Sequence, residues 1–315
     1  MAGGGPVSAL TEALETYLKL RRSLGHDLAD AARLLPRFVD YLDSNGIEFV
    51  TIEAAVAWSQ AIQAEAGTTV WPHRMIAVRG FARFLSGADP RTQIPPIGLM
   101  PMRRHWRPPF IYSDADVSAL MAQCRRQMAS AFRAATYETM IGLLTATGLR
   151  VGEALRLDRG DVDWPEGVLQ IRRSKFGKSR QVPLHPTVVE ALAEYARKRD
   201  EFMPRPLSPS FFIANRGTRL IYPTVSQEFV RLRGAAGVGS CSPIVPRIHG
   251  LRHTFAVRTL VDWYRDGVDV HTRVPWLSTY LGHRDPRYTY WYLSAAPELL
   301  AHAAARLERA QAVEP

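Results

Sequence analysis

Residues 249–254 read His-Gly-Leu-Arg-His-Thr, and this stretch says more about the fold of the chain than any other. His249 and Arg252 stand three positions apart, so on a helix their side chains share one face. Arginine offers a planar fork that matches phosphate oxygens, and histidine exchanges a proton near neutral pH. By itself the stretch also fits a helix start with a core histidine, so its meaning depends on the rest of the chain.

Two segments upstream add basic and acidic candidates. The run TGLRVGE at 147–153 places Arg150 and Glu153 beside a glycine turn between two apolar helical stretches. The run RRSKFGKSR at 172–180 has five basic residues and no acidic one, at the tip of a predicted hairpin. A phosphate backbone would relieve the like-charge repulsion there, which favours a nucleic-acid contact over a solvated turn.

A fourth segment ends in a group of tyrosines. The sequence Leu-Gly-His ends at His283, and Tyr288, Tyr290 and Tyr292 follow. His283 and Tyr292 are nine positions apart, which on one continuous helix puts them on opposite faces. The proline-containing run 284–286 predicts a break in the helix, and this break would let the two side chains converge.

The composition limits the classes of function. With 315 residues the chain is expected to form two domains, and its net charge of +10 and pI of about 9.9 favour a polyanionic partner. Two cysteines, Cys124 and Cys241, predict neither a disulfide framework nor a zinc site, which fits a reducing cytoplasm. No signal peptide and no apolar run of membrane-spanning length is recognisable, so we expect no membrane partner.

The first part of the chain predicts a helical domain followed by a linker. Residues 1–88 show four short amphipathic helices, which favours a compact helical domain. Residues 89–112 contain six prolines and read as an inter-domain linker. The linker is basic, and we expect three of its arginines to contact DNA: Arg103, Arg104 and Arg107.

The second domain, 113–315, is predicted to be mostly helical with a small antiparallel sheet. The period changes from helical to alternating at 168–171 and 181–184, which predicts two strands. Residues 211–213 are a candidate third strand. From His249 onward the chain is expected to be helical, with a break at Pro275.

The order of these candidates resembles the tyrosine recombinases, or phage integrases, from Ser113 to the end of the chain. The local matches are TGLRVGEALRL, the basic hairpin before VPL, HGLRHTFA, and LGH with a tyrosine nine residues on. The resemblance implies a two-domain, C-shaped DNA clamp that is mainly α with a small antiparallel β-sheet in the catalytic domain. A helical SAM-like core-binding domain would precede an integrase-type catalytic domain.

The resemblance also implies roles for single residues. Arg150 and Arg252 would clamp the scissile phosphate, and Tyr292 would attack phosphorus, with Tyr288 as the fallback nucleophile. Lys175 would protonate the departing 5′-hydroxyl, and Lys178 competes for this role. The remaining members of the catalytic set would be His249, His283 and Glu153. Four further residues of the hairpin segment are expected to bind DNA: Arg172, Arg173, Lys178 and Arg180.

The implied activity is site-specific DNA recombination. It would proceed through a 3′-phosphotyrosine intermediate and a Holliday junction, without a metal or cofactor, in integration, excision or transposition of a mobile element. The expected partners are double-stranded DNA, a homotetramer on that DNA, and accessory or sister recombinases, in the cytoplasm of a bacterium at the nucleoid. A C-terminal tail helix at 297–311 would dock on a neighbouring protomer. Two alternatives remain open: a type IB topoisomerase, and a catalytically silent DNA-binding partner.

Overall fold

The computed structural model describes residues 8–62, 69–100, 108–172 and 179–295. The chain divides into two compact units, Met1–Trp106 and Arg107–Pro315. The first unit is helical, and the second combines helices with one three-stranded sheet. The prediction of a mainly α chain with a small antiparallel sheet in its second domain is therefore confirmed.

Four helices build the described part of the first unit: α1 (Ala9–Ser23), α2 (Ala29–Ser44), α3 (Ile52–Gln60) and α4 (Val70–Leu85). Local signals set several of their ends. The Thr51 hydroxyl caps α3 by accepting from the Ala54 amide, and Asn45 with left-handed Gly46 ends α2. The core is closed by large apolar side chains from α2, α3 and α4, among them Phe38, Trp58 and Phe81.

The proline-rich segment differs from the predicted linker over 89–112. The Gln93 amide donates to the Val50 carbonyl at 2.8 Å, and Arg79 donates to the carbonyls of Pro95 and Pro96 at 2.7 and 2.8 Å. Residues 89–100 are therefore part of the first unit. At the other end, Tyr112 is buried and its hydroxyl donates to the Arg247 carbonyl. Prolines exclude a helix, but these backbone hydrogen bonds still hold the segment on the domains.

The described part of the second unit contains eight α-helices: α5 (Asp114–Gln127), α6 (Ala131–Thr147), α7 (Val151–Arg156), α8 (Pro186–Phe202), α9 (Tyr222–Ala235), α10 (Gly250–Arg265), α11 (Val270–Leu281) and α12 (Arg287–Ala295). Helix α5 begins at a capping box in which the Ser113 and Asp116 side chains each accept from the other's backbone amide. Helix α6 packs against α5, α8 and α10, so it runs through the centre of this unit.

The sheet has the order β1 (Val162–Asp163), β2 (Val168–Ile171) and β3 (Arg180–Pro183), all antiparallel. Leu169 pairs with Val182 and both are fully buried, which fixes the register. The candidate third strand at 211–213 was wrong. Its three side chains are all buried rather than alternating, and the segment contributes only an isolated bridge at Ile213.

The predicted break at Pro275 was also wrong, because α11 continues through that residue. Pro275 and His271 are both exposed, so the carbonyl that loses its helical donor faces water. The real ends lie elsewhere: α11 ends at Leu281 with Gly282 in the left-handed conformation, and α12 begins at Arg287. The predicted break at 284–286 is thus confirmed.

Among the helices that the structure describes, none combines the length and the apolar character that crossing a membrane requires.

Candidate active site

Two arginines are anchored side by side at the ends of two helices. Arg252 donates from Nη1 to the Gly148 carbonyl and from Nη2 to the Leu281 carbonyl, both at 2.8 Å. Arg150 donates from Nη2 to the carbonyl of Gly282 at 3.0 Å. Because Leu281 and Gly282 are consecutive, the same turn after α11 positions both guanidinium groups.

Glycine is required at both anchoring turns. Gly148 ends α6 at φ +60° and Gly282 ends α11 at φ +69°. A Cβ at Gly148 would lie 2.5 Å from the Phe255 ring, and one at Gly282 would lie 2.8 Å from the Arg180 guanidinium. The carbonyls can therefore approach the arginines only because these two residues lack a side chain.

Glu153 is a fully buried carboxylate that ties the arginines together. It accepts from Arg150 at its backbone amide (3.0 Å) and at Nη1 (2.8 Å), and from both terminal nitrogens of Arg180 at 3.0 and 2.9 Å. Burial alone would raise the pKa of Glu153, but the hydrogen bonds and charges of Arg180 and Arg150 lower it to about 2. Glu153 is therefore ionised, and it orients Arg150.

Tyr292 lies in the middle of this cluster with 2% of its surface exposed. Its hydroxyl is hydrogen-bonded to Nδ1 of His253 at 3.0 Å. Burial raises the pKa of Tyr292, while the positive charges of Arg252 and Arg150 act in the opposite direction. The other two tyrosines of the segment are on the outside: Tyr288 is 57% and Tyr290 is 38% exposed.

Two further histidines complete the cluster. His283 shares a hydrogen bond between its Nδ1 and Thr289 Oγ1 at 2.6 Å, and its ring stacks on Tyr292 with centroids 6.4 Å apart. The His249 ring meets the His253 ring edge-on, with their centroids 4.8 Å apart. Desolvation and the neighbouring arginines lower the pKa of both His249 and His283, so both rings are neutral at pH 7.

The structure thus brings together six of the seven predicted catalytic residues: Arg150, Glu153, His249, Arg252, His283 and Tyr292. Lys175 lies outside the described residues, and so do Lys178, Arg103, Arg104, Arg107, Arg173 and the tail at 297–311. Arg172 is 68% exposed at its side chain and pairs with Asp161, so it remains accessible at the base of the hairpin. Arg180 lies inside the site, where its guanidinium donates to both oxygens of Glu153 and its side chain is 12% exposed, and its contact with DNA stays a prediction.

Sequence reasoning missed His253 and Thr289. His253 directly follows Arg252 in the quoted stretch, but the three-residue spacing rule selected only His249 as the partner of that arginine. Thr289 is fully buried in α12, and only the tyrosines of this segment were considered as candidate site residues. The roles of His253 and Thr289 cannot be recognised from their spacing in the sequence, because they depend on how α10 and α12 pack together.

No group of three or more histidine, cysteine, aspartate or glutamate side chains within the described ranges is arranged to hold a metal ion.

Two arginines, two histidines and one buried tyrosine that the resemblance to tyrosine recombinases selected thus lie together on a mainly helical domain. A family model for the phage integrase family matches residues 112–298, which is more than half of the chain. The chain therefore belongs to the phage integrase family of tyrosine recombinases, enzymes that break and rejoin DNA.

Known relatives agree along most of the chain. The "Putative integrase/recombinase y4rB" of Sinorhizobium fredii is 40% identical over 310 residues, which cover 96% of this chain and 98% of that protein. The tyrosine recombinase XerD of Caulobacter vibrioides is 32% identical over 282 residues, covering 88% and 86%. Among solved structures, the Tn1549 transposon integrase in complex with transposon right end DNA has the same fold: its TM-score is 0.65 at 17% identity, with 95% and 99% covered.

Proposed function

We propose that this recombinase cuts DNA with Tyr292 and exchanges strands between two specific sites. The phenol would form a 3′-phosphotyrosine bond, and two rounds of exchange would pass through a Holliday junction. The observation that carries this proposal is the position of the Tyr292 hydroxyl, buried beside Arg252, Arg150 and a neutral histidine. A buried phenol beside fixed cations and a neutral histidine suits attack on a phosphodiester.

Stabilisation of the transition state is assigned to the two arginines. Attack on phosphorus builds negative charge on the non-bridging oxygens, and fixed cations stabilise that charge without reorganising. A guanidinium has five N–H groups, and the carbonyl anchors of Arg252 use two of them. Burial and the neighbouring Arg150 lower the pKa of Arg252 to about 10, so it keeps its charge at neutral pH.

Protonation of the leaving 5′-oxygen is assigned to the basic hairpin, with Lys175 as first choice and Lys178 as second. Both lie between β2 and β3. Arg180, the first residue of β3, is bound to Glu153 and to the Tyr280 carbonyl, so the end of the hairpin is fixed next to the arginines. This placement supports delivery of a lysine to the same phosphate.

The biological role that we propose is integration, excision or transposition of a mobile element, by a homotetramer on paired core sites. Similarity to an integrase/recombinase of Sinorhizobium fredii along almost the whole chain supports this role. The net charge of +10 supports binding to double-stranded DNA. Sister or accessory recombinases and a place at the bacterial nucleoid belong to the same proposal.

Covalent trapping tests the reaction. The substrate is DNA from the flanks of the gene with a nick near the cleavage point. Cleavage then releases a short fragment with the free 5′-end, so rejoining is blocked and the protein stays attached to the DNA. We expect a denaturation-resistant adduct with the wild type and none with Tyr292→Phe. Tyr288→Phe is the matched control, because the same hydroxyl is removed from an exposed position of α12.

Other results would redirect the proposal. An adduct that survives in Tyr292→Phe would move the nucleophile to Tyr288 or Tyr290. Tight DNA binding without any adduct would favour the alternative that this chain is a catalytically silent DNA-binding partner. Relaxation of supercoiled plasmid without a specific site would favour a topoisomerase.

A further inference from the structure

We infer that His253 is a catalytic residue, the general base that takes the proton from the Tyr292 hydroxyl during DNA cleavage. The inference rests on the proposed function, since it presupposes that Tyr292 is the nucleophile. Its basis is the 3.0 Å hydrogen bond between His253 Nδ1 and the Tyr292 hydroxyl. This distance lies within the reach required of a general base.

The neighbours of the phenol decide the direction of this hydrogen bond. Arg252 can only donate hydrogen bonds, and its positive charge favours the phenolic oxygen of Tyr292, so it cannot take the phenolic hydrogen. The phenolic hydrogen then needs an acceptor, and Nδ1 of His253 is in place to accept it. The His253 ring accordingly carries its own hydrogen on Nε2.

The other two histidines of the cluster are engaged elsewhere. Nδ1 of His283 is hydrogen-bonded to Thr289, and its ring plane lies only 19° from parallel to the Tyr292 ring, so it meets the phenol face to face. His249 is an exposed residue whose ring meets the His253 ring edge-on. His253 lies between His249 and Tyr292, in edge and tilted ring contacts at 4.8 and 5.6 Å.

The protonation state of His253 suits this role. Burial, His249 and Arg252 lower the pKa of His253 to about 3, so its ring is neutral at pH 7 and offers a lone pair. The titratable and charged groups around the ring are His249 and Arg252 from the start of α10, His283 from the turn before α12, and Tyr292 from α12. The anionic scissile phosphate offsets the arginine charge when DNA is bound, which strengthens His253 as a base.

The step balances in atoms and charge. The O–H bond of Tyr292 breaks, its proton goes to Nδ1 of His253, and the phenolic oxygen bonds to phosphorus. The bond from phosphorus to the 5′-oxygen breaks with its electron pair on oxygen, and that oxygen takes a proton from the hairpin lysine. Rejoining runs the same transfers backwards, so His253 returns the proton to Tyr292.

The decisive variant is His253→Asn. The Oδ1 of asparagine can occupy the place of Nδ1 and accept the phenolic hydrogen bond, but it cannot take the proton. We expect adduct formation on the nicked DNA to slow about 100-fold at pH 7, with unchanged DNA affinity. The deficit should shrink as the pH rises, because hydroxide then replaces the base. His271→Asn, an exposed histidine beside Tyr290, is the matched control and should retain the wild-type rate.

A modified substrate separates the base from the acid. With a sulfur in place of the bridging 5′-oxygen, the leaving thiolate needs no proton. Lys175→Ala should regain its rate on this substrate, whereas His253→Asn should stay slow. In His253→Ala, added imidazole should restore adduct formation, and this readout does not depend on how asparagine fits.

Clear results would overturn the inference. A rate for His253→Asn within about threefold of the wild type would mean that His253 only positions the phenol. Full rescue of His253→Asn by the sulfur substrate would place the residue on the leaving-group side. Absence of an adduct with the wild type would instead remove the proposed function itself.

Discussion

Arg180 and Glu153 are joined by two parallel hydrogen bonds of 3.0 and 2.9 Å, one to each carboxylate oxygen. The Glu153 side chain is fully buried and that of Arg180 is 12% exposed, so little water competes for this ion pair. Arg180 also donates from Nε to the Tyr280 carbonyl at 2.8 Å. One side chain therefore connects the strand after the basic hairpin with the carboxylate that orients Arg150.

Arg180→Gln should impair cleavage without weakening DNA binding. The substitution leaves a buried carboxylate with one cationic partner, which costs roughly 3–5 kcal/mol of the free energy of unfolding. The pKa of Glu153 should rise, so cleavage by the variant should fall further as the pH is lowered. Adduct formation from pH 5 to 8 and urea unfolding are the measurements.

The control for this variant is Arg197→Gln, which removes an arginine from exposed ion pairs with Glu194 and Glu201. Because these pairs are exposed to water, their loss should leave the free energy of unfolding almost unchanged. If both variants lose the same stability and activity, the special role of the buried pair is refuted.

Acid should weaken the fold through Glu153. Its pKa is lowered in the folded protein, from 4.5 to about 2, so its stabilising contribution is present above pH 4.5 and is lost between pH 4.5 and 2. This pH-dependent part amounts to about 3 kcal/mol. The difference in unfolding free energy between the wild type and Glu153→Gln should therefore shrink as the pH falls to 2. A difference that stays constant over this range would contradict the assignment.

Gly282→Ala should abolish most cleavage activity. The new Cβ would lie 2.8 Å from the Arg180 guanidinium, at a left-handed φ of +69°. It would displace both Arg180 and the carbonyl that holds Arg150. Gly237→Ala is a close control, because φ there is +66° and no atom lies within 4 Å of the added Cβ.

Both alanine variants should lose about 1 kcal/mol of stability from the left-handed backbone alone. Only Gly282→Ala should also lose adduct formation, by at least about tenfold for a shift of an anchored arginine. Comparable cleavage by the two variants would show that the turn after α11 tolerates a side chain.

Thr289→Val should slow cleavage by roughly tenfold, a loss of about 1.4 kcal/mol in transition-state stabilisation. Valine keeps the shape of Thr289 but removes the hydroxyl bound to His283, so the imidazole loses its fixed orientation. Thr279→Val is the control: its hydroxyl is exposed and bonds only the Pro275 carbonyl within α11. Single-turnover cleavage at saturating protein measures the effect, and equal rates for the two variants would exclude an orienting role.

The sequence predicted the main residues of the site, but it did not predict the contacts that hold them in place. Arg150, Arg252 and Tyr292 could be found because chemistry restricts which residue types serve and because their order resembles a family. Arg180 was assigned to DNA because charge in a basic hairpin gives no hint of a buried carboxylate 27 positions earlier. His253 was missed for the same reason, since its partner lies on another helix.

For the fold, too, local features were predicted correctly, whereas features that depend on burial and solvent were not. Local signals such as the Ser113 capping box and the break before α12 were read correctly, because they act over a few residues. Residues 211–213 were wrongly predicted to form a strand, because a short apolar run is typical both of a strand and of a segment that is buried on all sides. Pro275 was misread because the sequence does not display that both Pro275 and His271 are exposed, a setting in which a helix can continue past a proline.

The carbonyl anchors make the alignment of the two arginines depend on complete folding of the domain. Arg252 is oriented by the ends of α6 and α11, which lie more than 100 positions apart in the chain and meet only in the finished domain. A nascent, misfolded or locally opened molecule therefore holds a tyrosine and several cations but no aligned cutting centre. We therefore expect an incompletely folded copy of this chain to have no cleavage activity.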